Sequence, residues 1–143
     1  MSPDDRARTS AQAMWDGDAA SKWMGFELIE VSEGRAVLTL AVAPRHCNGH
    51  GTCHGGVIFA LADSAFAFAC NSRNQSTVAQ HATVSFTAPA RSGDVLRAEA
   101  REVSLTGRSG LYDVSVTTGD GDRVAEFRGM SRAIPGHLFE ETP

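Results

Sequence analysis

The sequence predicts an α+β domain in which an antiparallel sheet wraps around one long apolar helix. Three observations predict it. The β-type segments and the helix follow the order ββ-α-ββββ. The helix, from about His54 or Gly55 to Asn71, carries Val57, Ile58, Phe59, Leu61, Phe66 and Phe68 in nearly every direction, as expected of a helix buried on all sides. Gly93, Gly107, Gly110, Gly119 and Gly121 mark turns among the last four β-type segments.

The elements follow in chain order. Residues 3–16 read as a short N-terminal helix, opened by Pro3, Asp4 and Asp5, with Ala11, Met14 and Trp15 on one side. Gly17 and Asp18 interrupt it, and residues 19–24 form a turn or short helix that ends at Gly25. Strands are expected at 26–31 and 35–43, joined by the Ser32-Glu33-Gly34 turn. A Gly-, His- and Asn-rich loop covers 44–53, and strands are expected again at 77–87, 94–105, 111–118 and 123–134. Alanines at 60, 62, 65, 67 and 69 reduce side-chain volume, so the sheet can approach the helix closely. No repeat or linker divides the 143 residues, which read as one domain over 1–143 with its core at about 19–134.

A net charge of −4 argues against general affinity for nucleic acid or an anionic membrane surface. Lys22 is the only lysine among 13 basic residues. Arginine is the better planar donor, so local phosphate recognition stays open on this acidic chain. The polar N-terminus has no apolar run behind it, which counts against a signal peptide. The longest apolar stretch, 57–70, is interrupted by Asp63 and Ser64 and falls short of the ~18 residues a membrane span needs. Cys47, Cys53 and Cys70 then read as reduced thiols, and the expected location is cytoplasmic.

Asp63 is the anomaly of the helix. A carboxylate among apolar neighbours must be paired, hydrogen-bonded or neutralised, and its raised pKa would suit base or nucleophile chemistry. A structural aspartate bonded to a neighbouring strand or turn is the competing reading. The second element is Asn48-Gly49-His50-Gly51-Thr52-Cys53-His54-Gly55-Gly56. Glycines at the start of a helix expose unpaired N–H groups at its positive end, a ready site for an oxyanion. Asn48 offers a further amide donor; a plain tight turn is the competing reading here.

Gly55 and Asp63 lie eight residues apart, roughly 12 Å along a helix. Reacting atoms must come within about 3–3.5 Å. If both act in one site, two chains must supply them, as antiparallel helices in a two-fold dimer would.

From Asn48 through His54-Gly55-Gly56 and Leu61-Ala62-Asp63 to Ser72, the chain resembles the PaaI-type hotdog thioesterases of phenylacetate degradation. Thr83-Val-Ser-Phe-Thr-Ala-Pro89 and Gly110-Leu-Tyr-Asp-Val114 extend the likeness, which runs to about Ile134. The resemblance implies a hotdog dimer, usually paired into a homotetramer, that hydrolyses aryl-acyl-CoA thioesters, phenylacetyl or hydroxyphenylacetyl favoured, without metal or cofactor. It also assigns roles: Asp63 as base or nucleophile, the Gly55 N–H as oxyanion donor, Asn48 as orienting residue and His54 as support, with Gly56 beside the substrate. Some relatives hold the attacking water with a Ser or Thr on the strand after the helix; Val78-Ala79-Gln80-His81 has neither, leaving Gln80 or His81 as substitutes. Coenzyme phosphates are expected at surface turns carrying Arg91 and Arg108-Ser109-Gly110.

Other readings compete. His46, Cys47, His50, Cys53 and His54 are crowded, yet no C-x2-C pair occurs among them, which counts against zinc. No G-x-S-x-G elbow, P-loop or dinucleotide fingerprint is present. A hotdog hydratase or dehydratase acting on an acyl thioester remains, as does a non-catalytic acyl-CoA-binding module.

Overall fold

Ser2 opens the first helix, α1 (Pro3–Gly17), its hydroxyl accepting the Asp5 N–H at 3.0 Å. The computed structural model describes residues 1–142. After α1 come α2 (Ala19–Met24), β1 (Glu27–Ser32), β2 (Arg35–Ala41), a 3-10 turn at Pro44–His46, α3 (Gly55–Cys70), β3 (Thr77–Phe86), β4 (Val95–Thr106), β5 (Ser109–Thr118) and β6 (Arg123–Ala133). The strands form one antiparallel sheet in the order β1-β2-β4-β5-β6-β3. This is the expected α+β hotdog architecture, with α3 lying in the curve of the sheet.

Alternation decides which strand face meets α3. Ala36, Leu38 and Leu40 of β2, Leu96, Ala98 and Ala100 of β4, and Tyr112, Val114 and Val116 of β5 are all buried. Small residues on both partners, Ala62, Ala65 and Ala69 on α3 among them, let helix and sheet come close. Phe66 fills the middle, 5.6 Å from the Tyr112 ring and 5.7 Å from Phe127, geometry worth about 0.5–1.5 kcal/mol per pair beyond burial. No helix among the described residues is long and apolar enough to cross a membrane.

Three expectations need correction. β2 ends at Ala41, not 43, because Pro44 follows and the Ala43 N–H is turned to His46 Nδ1 at 2.9 Å. β5 begins at Ser109, so the β4–β5 turn is only Gly107-Arg108, with Gly107 at φ 62°. Gly110 is therefore a strand residue, and a Cβ there would stand 2.7 Å from Ser131 Oγ and 2.9 Å from the Tyr112 ring. Finally, α3 is not buried on all sides. Gly56, Phe59, Ala60, Asp63 and Ala67 form a partly open stripe at helical spacing.

The two sheet edges differ. α1 packs on β1, whose register slips at Ile29. β3 bonds to β6 on one side only and leaves Val78 and Phe86 exposed.

Candidate active site

The loop before α3 is shaped by Asn48. Its Oδ1 accepts the His50 and Thr52 N–H groups at 2.9 and 3.2 Å, and its Nδ2 donates to Thr52 Oγ1 at 3.1 Å. In this chain the amide is thus turned into its own loop. His46 is buried beneath, with its Nε2 2.6 Å from Met24 O at the end of α2. Its carbonyl accepts the His54 N–H at 2.8 Å.

His54 caps α3. Its Nδ1 accepts the Gly56 N–H at 2.8 Å, and its carbonyl accepts from Val57 and Ile58 at 2.9 and 3.2 Å. The first turn is then satisfied except at Gly55, whose N–H has no acceptor among the described residues. Gly55 lines a cleft of about 380 Å3 together with Thr52, Cys53, Ile58, Phe86 and Pro89 among others. The Phe86 ring lies so close that a Cβ on Gly55 would stand 3.2 Å from its Cζ. A side chain at position 55 would therefore press on that ring.

Asp63 lies on the open stripe, half-buried. Burial pushes its carboxyl above the ordinary value of 3.8, and no hydrogen bond or neighbouring cation offsets the shift. The structural alternative, an aspartate tied to a strand or turn, thus finds no such bond among the described residues. The next residue, Ser64, points elsewhere, its hydroxyl 2.9 Å from that of Ser21 on α2.

Other expected residues are placed as follows. β3 bulges at Gln80, so that Ala79 opposes Ser131 and His81 opposes Met130. Ser131 is buried, whereas Met130 is exposed and its sulfur lies 3.8 Å from Gln80 Nε2. Gln80 and His81 therefore sit on the sheet face turned away from α3, where neither can hold water beside this chain's Asp63. Arg91 is exposed next to Thr52, its N–H donating to Asp94 Oδ2 at 2.8 Å. Arg108 and Ser109 lie beside Cys70, at the opposite end of α3. The His and Cys residues of the loop form no cluster of three metal-ligand side chains among the described residues.

Phe86 escaped the sequence reading, since only strand register brings its ring over Gly55. Also missed was a network in which Glu102 accepts from Arg73 and from the Tyr112 hydroxyl, the latter at 3.0 Å. Nothing in the spacing of those residues signals it.

The family model described as "Thioesterase superfamily" matches residues 50–125, from the Gly-rich loop to β6. The chain belongs to the thioesterase superfamily. It is 40% identical over 136 residues to the acyl-coenzyme A thioesterase PaaI of Escherichia coli K12, covering 95% of this chain and 97% of that protein. The structure of the E. coli PaaI protein from the phenylacetic acid degradation operon superposes with a TM-score of 0.93, over 95% of this chain and 99% of that one. A mutant of the phenylacetic acid degradation protein PaaI from Thermus thermophilus matches at 36% identity and a TM-score of 0.79, over 82% of this chain and all of that one. The expected likeness to PaaI-type thioesterases is therefore met, and so is the expected class, a thioester hydrolase. Within this thioesterase the open donor and the unpaired carboxylate stand on one helix, two turns apart.

Proposed function

We propose that this thioesterase hydrolyses aryl-acyl-CoA thioesters to the free acid and CoA, phenylacetyl and hydroxyphenylacetyl groups being favoured. The E. coli relative's name supports acyl-CoA as the substrate, and the aryl preference rests on likeness to proteins of phenylacetic acid degradation. One observation carries the chemistry: the His54 cap leaves spare the N–H of Gly55, a residue that lines a cleft beside the Phe86 ring. That N–H polarises the thioester carbonyl and holds its oxygen as negative charge develops. Asp63 serves as base or nucleophile.

Two chains complete each site. The free edge of β3 and the open stripe of α3 support a two-fold dimer, in which antiparallel α3 helices bring Asp63 to the partner subunit's oxyanion donor. Pairing of two such dimers into a homotetramer belongs to the same reading. A dimer also reconciles Arg91 and Arg108, which stand at opposite ends of α3 and cannot hold the phosphates of one CoA from one chain. Three free thiols support a cytoplasmic location.

Thiol release measured over a panel of aryl and straight-chain acyl-CoAs tests the proposal. Faster turnover of aryl substrates supports it; preference for straight chains overturns the aryl assignment. Consumption of an enoyl thioester without thiol release would favour a hydratase, and binding without turnover a non-catalytic module.

A further inference from the structure

Cys47 and Cys53 face each other across a short antiparallel bridge in the loop that enters α3. The bonds flanking the bridge, Asn48 N–H to Thr52 O and His54 N–H to His46 O, are both 2.8 Å. They enclose the cysteine pair without joining it, which makes this a non-hydrogen-bonded pair. Opposed residues of that kind have Cα atoms about 4.5 Å apart and the closest side chains in a sheet. A disulfide needs a Cα separation of roughly 4.4–6.8 Å. Neither thiol is committed elsewhere: Cys47 Sγ has a long contact of 3.6 Å to Ala43 O, and Cys53 Sγ one of 3.9 Å to His54 O.

We infer that Cys47 and Cys53 are a redox modification site that closes to an intramolecular disulfide on exposure to a peroxide. Cys47 is half-buried and Cys53 buried, so peroxide reaches Cys47 first. Burial, and then the neighbouring Cys47, push the Cys53 thiol up to about 11, which suits it to the second step rather than the first. The Cys47 thiolate attacks one peroxide oxygen; an S–O bond forms, the O–O bond breaks and water leaves, giving a sulfenic acid. Cys53 sulfur then attacks Cys47 Sγ, the S–O bond breaks, and the departing hydroxide takes the Cys53 proton as a second water. In sum, two thiols and one peroxide give one disulfide and two waters. The crosslink lies two residues before Gly55 and fastens the loop that carries Asn48. Cys70, at the far end of α3, lies roughly 25 Å along the helix from Cys53 and serves as an internal control.

The test uses the full-length protein, treated with a small excess of hydrogen peroxide. Remaining thiols are alkylated, and the intact mass is measured with and without dithiothreitol. Expected is the loss of two hydrogen masses and of two alkylatable thiols, both reversed by dithiothreitol, with chymotryptic fragments placing the link between Cys47 and Cys53. The Cys70→Ser variant should behave the same, and Cys47→Ser and Cys53→Ser should each abolish the link. Three thiols still free, a sulfinic acid in place of the link, or a link to Cys70 or to a second chain would overturn the inference. Because none of these readouts is turnover, the result is independent of the proposed substrate.

Discussion

His54 Nδ1 accepts the Gly56 N–H at 2.8 Å, and this bond selects Gly55 as the spare donor of α3. A helix start offers several unpaired N–H groups, which would spread an anion's charge over a mobile turn. Here one side chain and one carbonyl satisfy its neighbours, and Phe86 walls the remaining donor from one side. Replacing His54 with Ala should cost about 0.5–2 kcal/mol of stability, as loss of an N-cap does, and lower turnover as the first turn loosens. His54→Asn, which restores a capping oxygen, should recover most of both. Thermal melts and kcat of the two variants check this, and equal losses in both would contradict it.

Asp63→Asn should reduce kcat by ~10²–10⁴-fold, as removal of a positioned acid–base group does. Its stability should move the other way. Burial raises the folded pKa of Asp63, so ionisation costs the folded chain stability as pH rises through that value. The variant should melt above the parent at neutral pH, and the gain should shrink as pH falls toward the ordinary carboxylate value. A lower melting temperature at neutral pH would show that Asp63 is held by bonds that assembly supplies.

Rate should follow the same titration. If Asp63 acts ionised, kcat/KM falls on the acidic side with a midpoint above 3.8, the direction in which burial moves the group. A pH profile of thiol release reads the midpoint. An acid limb unchanged in Asp63→Asn would assign it to another group.

Glu102 shows the opposite linkage. Burial raises it, but the hydrogen bonds from Arg73 and the Tyr112 hydroxyl outweigh that and hold it below the ordinary 4.5. Its contribution is therefore present above that value and is lost as pH falls through the depressed one. Glu102→Gln should cost about 1–3 kcal/mol, since it removes the charge to which a buried tyrosine hydroxyl and Arg73 donate, leaving Arg73 only Glu33 at 3.2 Å. Urea melts at neutral pH measure it, and no change in midpoint would contradict the assignment.

Much of this was legible in the sequence because apolar periodicity and glycine placement are local signals. The extent of α3 could be read to within a residue or two, and Asp63 stood out as its lone carboxylate. What was not legible depends on register and on faces. The open stripe through Asp63 appears only when the sheet is seen to leave that side uncovered. The bulge at Gln80 turns two candidate water-holding residues to the outer face, and no periodicity announces a single extra residue. Gly110 looked like punctuation, yet it is required by Ser131 and Leu105, which lie beside it only through strand pairing.

The central claim is that Asp63 serves the thioester held at the other subunit's Gly55. Asp63→Asn and Gly55→Pro, which removes the spare N–H of α3, should each be nearly inactive alone. Co-refolded and mixed in equal amounts, they form heterodimers in which one of the two sites combines a native Asp63 with a native Gly55. Thiol release should then return in the mixture to about a quarter of the parent rate, with half the dimers mixed and half their sites intact. A mixture as inactive as either variant, with heterodimers shown to be present, would contradict the shared site.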